Sequence, residues 1–141
     1  MIVKFYDQVE DEKLKFAVIA ARAEGKWVFC KHKARTTFEM PGGHREPGEP
    51  ILDTARRELQ EETGATAFDL QPVCVYSVTD PDNFDGAETY GLLCTAQVHA
   101  FGPIDSEMEK IVLTADLPTQ WTYPQIQPKL LAELERRGVI Q

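Results

Sequence analysis

The stretch from Pro50 to Gly64 is the feature that most limits how this chain can fold. Proline suits the first position of a helix because its φ is fixed near the helical value, and glycine is common directly after the last helical residue. Between them Leu52, Ala55 and Leu59 recur at helical spacing and form one apolar stripe. The sequence therefore predicts an amphipathic helix that packs against another element.

Apolar runs on both sides of this helix predict the strands of a β-sheet. Residues 16–21 and 26–32 are separated by a turn containing Gly25 and predict a hairpin of two largely buried strands. The other predicted elements are strands at 36–40, 73–79 and 89–99, an ambiguous segment at 104–110 and an amphipathic helix at 125–137. This order predicts an α/β fold in which helices cover both faces of a mixed sheet.

Length and charge limit the classes of protein to which the chain can belong. Its 141 residues suit a single domain over positions 1–141. The formal net charge of -8, from 15 basic and 23 acidic side chains, argues against a nucleic-acid partner, which needs a basic surface. The sequence has neither a long apolar run nor a signal peptide, so we expect a cytoplasmic protein without a membrane partner.

Three glutamates lie close together on the predicted helix, beside its apolar stripe. Glu58 lies one helical turn before Glu61 and Glu62, so their like charges repel one another. They also lie toward the carboxyl end of the helix, where the helix dipole disfavours anions. A divalent cation would reverse these penalties, and oxygen ligands favour Mg²⁺, for which Mn²⁺ can substitute. On these residues alone, an acidic face exposed to solvent stays open as the alternative.

The wider segment resembles the signature of the Nudix hydrolase family, Gly-x5-Glu-x7-Arg-Glu-(apolar)-x-Glu-Glu-x-Gly-(apolar). The positions that match are Gly43, Glu49, Arg57, Glu58, Leu59, Glu61, Glu62 and Gly64. Ala65 at the last position is smaller than the usual aliphatic residue. We call residues 43–65 the Nudix box. The resemblance implies the family's α/β/α sandwich and the hydrolysis of a diphosphate linkage in a nucleoside diphosphate derivative.

The resemblance also implies roles for individual residues. Glu58, Glu61 and Glu62 correspond to metal-binding catalytic carboxylates. Glu58 is the candidate general base, although the base varies within the family. The carbonyl oxygen of Gly42 or Gly43 is a further candidate metal ligand.

Supporting residues are implied as well. Glu49 and Arg57 correspond to the partners of a structural salt bridge. An acid outside the box commonly completes the metal site in the family, and Glu107 and Glu109 are the candidates here. For each of these two acids, a solvated loop position is the alternative.

The substrate is less closely defined than the chemistry. The leading expectation is a nucleoside triphosphate, including an oxidised one, cleaved to a monophosphate and pyrophosphate. An ADP-ribose-type substrate is the alternative, because Pro81 lies in the loop after the box where a proline is typical of such hydrolases. A non-catalytic nucleotide-binding regulator is a third hypothesis, and family analogy leaves a homodimer open. The candidate substrate contacts are Arg35, Phe38, His44 and Tyr90.

Overall fold

One mixed β-sheet organises the part of the chain described by the computed structural model, residues 1–82, 84–104 and 106–140. The strands are β1 (Ile2–Tyr6), β2 (Leu14–Ala23), β3 (Lys26–His32), β4 (Gly42–His44), β5 (Ala65–Thr79), β6 (Glu88–Phe101) and β7 (Met108–Thr114). The helices are α1 (Ile51–Thr63) and α2 (Gln127–Arg136). The strand order is β1-β5-β6-β2-β3-β7, and β4 pairs with β2 outside this path. Strands β2 and β6 run parallel, whereas the other pairs are antiparallel.

The two helices cover opposite faces of this sheet. Successive side chains of β2 point to alternate faces, so Ile19 packs with Leu59 of α1 and Ala20 packs with Leu130 of α2. The predicted α/β/α sandwich is therefore confirmed. No helix in the described ranges is long and apolar enough to cross a membrane.

The local patterns predicted the first helix and the hairpin correctly. Helix α1 begins directly after Pro50 and ends at Gly64, whose φ of 76° is left-handed and suits glycine. Strands β2 and β3 are joined through Glu24 and Gly25, which both have positive φ, 54° and 75°. That pairing is typical of the tight turns that match the twist of a hairpin.

Other elements differ from the prediction. The expected strand at 36–40 is wrong, because Phe38 and Glu39 form only isolated bridges, to Trp121 and Cys30. Strand β1 was not predicted; it is a short, partly buried edge strand in which Lys4 interrupts the apolar residues. Strand β5 begins at Ala65, well before the predicted start, because its first half has no continuous apolar run: exposed side chains alternate with Phe68 and Leu70, which pack against the α1-side core. The ambiguous segment forms part of β7.

Candidate active site

The site is built where the short strand β4 lies between β2 and helix α1. Gly42 and Gly43 pair with Val18 and Ala17 of β2. The backbone N–H of Gly42 donates a hydrogen bond of 2.8 Å to Glu62 Oε1. A Cβ at Gly43 would lie 2.6 Å from either carboxylate oxygen of Glu58, so glycine is required for this close approach. The two glycines therefore set the positions of two box glutamates.

Burial disfavours the ionised form of the Glu58 and Glu62 carboxylates. The pKa of Glu62 is raised to about 8, chiefly by burial and further by the charges of Glu58, Glu39 and Glu61; the Gly42 N–H offsets part of this rise. Burial also raises the pKa of Glu58, against the opposing effect of Arg57. A region that resists two negative charges in this way favours a bound cation.

Arg57 lies at the centre of the ion pairs of the box. Its guanidinium contacts Glu49 through two hydrogen bonds of 2.8 and 3.0 Å, as predicted. It also donates to Glu58 at 2.7 Å, to Glu61 at 3.3 Å and to the carbonyl oxygen of His44 at 3.0 Å. One cation thus fixes the loop before α1 relative to the glutamates on the helix.

Two further side chains hold Glu49 in place. The hydroxyl of Thr54 donates to Glu49 Oε1 at 2.6 Å, and Arg45 Nε donates to the Glu49 carbonyl oxygen at 2.6 Å. Arg57 and then Thr54 lower the pKa of Glu49 to about 2. Arg45 also pairs with Asp11 at 2.8 Å. The loop is therefore fixed to the helix and to the segment before β2.

We expect Arg57→Gln to lower the midpoint of thermal unfolding by about 5–10 °C at neutral pH. The folded state lowers the pKa of Glu49, so the stabilisation is present above its ordinary pKa of 4.5 and is lost as pH falls toward about 2. The deficit of the variant should therefore shrink over that range in metal-free thermal melts. Arg56→Gln is the matched control, because Arg56 is exposed and, among the described residues, pairs only with Asp53. A deficit that did not change with pH would contradict this account.

The donor set suits a divalent metal ion. In Glu58, Glu61 and Glu62, one carboxylate oxygen is engaged by Arg57 or Gly42, and the other has no hydrogen-bond partner among the described residues. Those ranges contain no group of three acidic, His or Cys side chains already gathered as a metal centre. Arg57 holds one oxygen of Glu58 and one of Glu61 through hydrogen bonds. The fit therefore rests on the oxygen donors and on the raised pKa values.

The two predicted outside acids are not brought to the box. Glu109 pairs with Lys31 at 3.0 Å, and Glu107, largely exposed, pairs with His32 at 3.2 Å. The antiparallel pairing of β7 with β3 produces both contacts. The acid outside the box that does raise the pKa of Glu62 is Glu39, which is buried.

The four predicted substrate contacts fall in different places. His44 packs its ring edge-on against Phe16, 4.7 Å between centroids, and lines a cleft on the α2 face of the sheet. Arg35 donates to Glu39 at 3.2 Å and lies beside the ring of Tyr123, which also lines the cleft. Arg35 itself does not line the cleft, and neither do the other two candidates: Phe38 packs in the α2-side core and Tyr90 donates to Glu88.

Sequence reasoning did not single out four residues that shape the site: Arg45, Thr54, Glu39 and Gln127. The Thr54 contact had a local signal, since residue 54 lies in the first turn of α1 near Glu49. Gln127 had none. It accepts a hydrogen bond from the backbone of Met40, which is far away in the sequence.

Comparisons with known proteins point to one family. The family model described as the NUDIX domain matches residues 11–134. Two curated relatives come from Bacillus subtilis (strain 168). One, named 8-oxo-dGTP diphosphatase YtkD, is 37% identical over 76 residues, or 54% of this chain and 48% of that protein. The other, named ADP-ribose pyrophosphatase, is 44% identical over 64 residues, or 43% of this chain and 35% of that protein. The chain thus spans about half the length of the first relative and about a third of the length of the second.

The fold has close counterparts among solved structures. A single-residue mutant of the Bacillus subtilis pyrophosphohydrolase BsRppH superimposes with a TM-score of 0.78 at 24% identity. The match covers 99% of this chain and 93% of that one. At this identity the likeness establishes the architecture alone.

Proposed function

Because this chain belongs to the Nudix family, we propose that it is a Mg²⁺-dependent hydrolase of a diphosphate linkage in a nucleoside diphosphate derivative. The observation that carries the proposal is the placement of Glu58, Glu61 and Glu62 on one face of α1 beside β4, with the pKa of Glu58 and Glu62 raised. A bound divalent ion would neutralise phosphate oxygens and lower the pKa of an attacking water. Carboxylates on a rigid helix supply its ligands, helped by the Gly42 or Gly43 carbonyl oxygen.

The chain's own residues have separate roles in the proposed reaction. Glu58 is the proposed general base, since a carboxylate with a raised pKa accepts a proton from water more readily. Arg57 holds Glu58 and Glu61 while its contact with Glu49 fixes the loop. Catalysis would then come mainly from positioning and electrostatic stabilisation.

A nucleoside triphosphate, including an oxidised one, is the proposed substrate, and a monophosphate and pyrophosphate are the products. The likeness to a relative named 8-oxo-dGTP diphosphatase supports this choice. The alternative is an ADP-ribose-type substrate, supported by the relative named ADP-ribose pyrophosphatase and by Pro81. A non-catalytic regulator is disfavoured because the metal-binding positions of the box are all glutamate.

The setting of the reaction is also part of the proposal. We assign Mg²⁺ as the metal, with Mn²⁺ as a substitute, because the ligands are oxygen atoms. The net charge of -8 supports small nucleotides rather than nucleic acids as partners. Cys30, Cys74 and Cys94 are buried free thiols, which suits a reducing compartment such as the cytoplasm.

The test is a substrate panel with purified protein and Mg²⁺: common and oxidised nucleoside triphosphates, ADP-ribose, diadenosine polyphosphates and NADH. Pyrophosphate release from triphosphates is the expected result. AMP and ribose 5-phosphate from ADP-ribose would instead support the alternative substrate. Nucleotide binding without turnover of any compound would overturn the enzyme proposal in favour of a regulator.

A further inference from the structure

A cleft of about 360 Å³ lies on the α2 face of the sheet, and Gly42 and Gly43 of β4 belong to both its wall and the glutamate site. Its volume is in the range of small-ligand pockets. Much of the wall is apolar or aromatic, with contributions from Phe16, Val18 and Leu130. Such a surface suits the flat faces of a heterocyclic ring.

The charge of the cleft indicates which end of a nucleotide it would accept. Among its described lining residues there is no lysine or arginine, and the acidic residues Glu39 and Asp80 are present. A phosphate group would be repelled there. On the proposed function, on which this inference rests, the phosphates bind at the box glutamates, so the uncharged base is left for the cleft.

Gln127 presents a fixed hydrogen-bond donor to this cleft. Its side-chain oxygen accepts a hydrogen bond of 2.7 Å from the Met40 backbone N–H. Because Met40 offers a donor, the amide must direct its oxygen there, and the orientation is fixed. Gln127 is only 4% exposed and lines the cleft. Its NH₂ group has no hydrogen-bond partner among the described residues, and it keeps some contact with solvent.

Tyr76 contributes a second polar group with different properties. It is 5% exposed and lines the cleft, and its hydroxyl has no hydrogen-bond partner in the described ranges. A Cβ at Gly91 would lie 2.7 Å from that hydroxyl oxygen, so the neighbouring glycine makes room for the ring. A hydroxyl can donate or accept, so Tyr76 tolerates either kind of base edge. Discrimination therefore falls to Gln127.

We infer that the cleft binds the base of the nucleotide and that Gln127 selects bases with an exocyclic carbonyl oxygen over bases with an amino group in that place. A carbonyl oxygen accepts from the Gln127 NH₂ group. An amino group would place donor against donor and leave both unpaired, which a site built for a hydrogen bond rejects strongly. The substrate class is thus keto-base nucleotides, and adenine nucleotides such as ADP-ribose are poor substrates.

Inosine and adenosine triphosphates test this directly, because their purine rings differ by a carbonyl against an amino group at C6 and, with it, by an N–H against an acceptor nitrogen at N1, and the Tyr76 hydroxyl tolerates either form of N1. We expect kcat/KM to favour the inosine compound by about 10- to 100-fold. Gln127→Met should reduce this preference to near unity, chiefly through KM. Gln127→Glu keeps an acceptor for the Met40 N–H but presents an oxygen to the cleft, so it should favour adenosine. Gln125→Met, at an exposed neighbouring position, is the matched control.

Affinities for inosine and adenosine monophosphate, measured by calorimetry, separate this inference from the proposed function. A protein that hydrolyses neither triphosphate would refute the proposed triphosphate substrate, while the ratio of the two affinities would still test the cleft. Equal affinities, binding of neither compound, or a preference retained in Gln127→Met would overturn the inference. Thermal melts of each variant identify any loss of folding. If Gln127→Glu does not fold, the result for Gln127→Met decides.

Discussion

Glu62→Gln is expected to lower Mg²⁺-dependent kcat by about 10³-fold, equivalent to about 4 kcal/mol of activation free energy. The substitution keeps an oxygen for the Gly42 N–H but removes the negative charge that would bind the metal. Saturating Mg²⁺ should also fail to raise the melting temperature of the variant as it does that of the unsubstituted protein, since a ligand stabilises only the state that binds it. Steady-state kinetics and thermal melts with and without chelator are the measurements.

The same variant should be more stable than the unsubstituted protein when metal is absent and the pH is about 8. Folding raises the pKa of Glu62 from 4.5 to about 8, so its contribution to stability is lost as pH rises between these values. Glutamine does not titrate and avoids that loss. Glu135→Gln on the exposed side of α2 is the matched control and should change neither property. Full turnover by Glu62→Gln would show that Glu62 is not a metal ligand.

Gly43→Ala is expected to impair catalysis, whereas Gly42→Ala is expected to destabilise the fold. At Gly43 the new methyl group meets the carboxylate of Glu58, which is the flexible end of a side chain and can move. The fold should survive while kcat falls about 10²-fold, because the glutamate is displaced. At Gly42 the methyl group would lie 2.5 Å from the Ala17 backbone oxygen, so the sheet itself must shift. We expect a loss of about 3 kcal/mol in the free energy of unfolding.

Urea denaturation and kinetics on both variants separate these outcomes. Gly102→Ala is the control, since the nearest atom to its added methyl group is a side-chain methyl of Thr66 at 3.2 Å. An active Gly43→Ala protein would mean that Glu58 does not need its present position. A stable Gly42→Ala protein would mean that β4 is held less tightly against β2 than its contacts indicate.

The sequence predicted those parts of the fold that depend on neighbours in the chain. Helix α1 and the β2–β3 hairpin have apolar periodicity and turn residues of their own, and the salt bridge between Glu49 and Arg57 lies within one motif. The helix and the hairpin follow from these local patterns, and the salt bridge is implied by the resemblance of the motif to the Nudix signature. The α/β/α arrangement then followed from the order of the elements.

The parts that were missed depend on contacts between distant segments. Glu109 was a candidate metal ligand by sequence, but the register of β7 on β3 pairs it with Lys31. Gln127 meets Met40 only after α2 has packed on the sheet. Strand register and helix docking follow from the whole core, so a local pattern does not carry them.

The parallel pairing of β2 with β6 bears on how the chain reaches its native state. Leu92 and Leu93 of β6 lie opposite Ala17 and Val18 of β2, so the intervening chain must first close a long loop. Contacts so distant in sequence are expected to make folding slow. Because β4 is held by the same two residues of β2, a partly folded chain should lack a competent metal site. Mg²⁺ would then distinguish mature molecules from folding intermediates, and added metal should slow unfolding more than it speeds refolding.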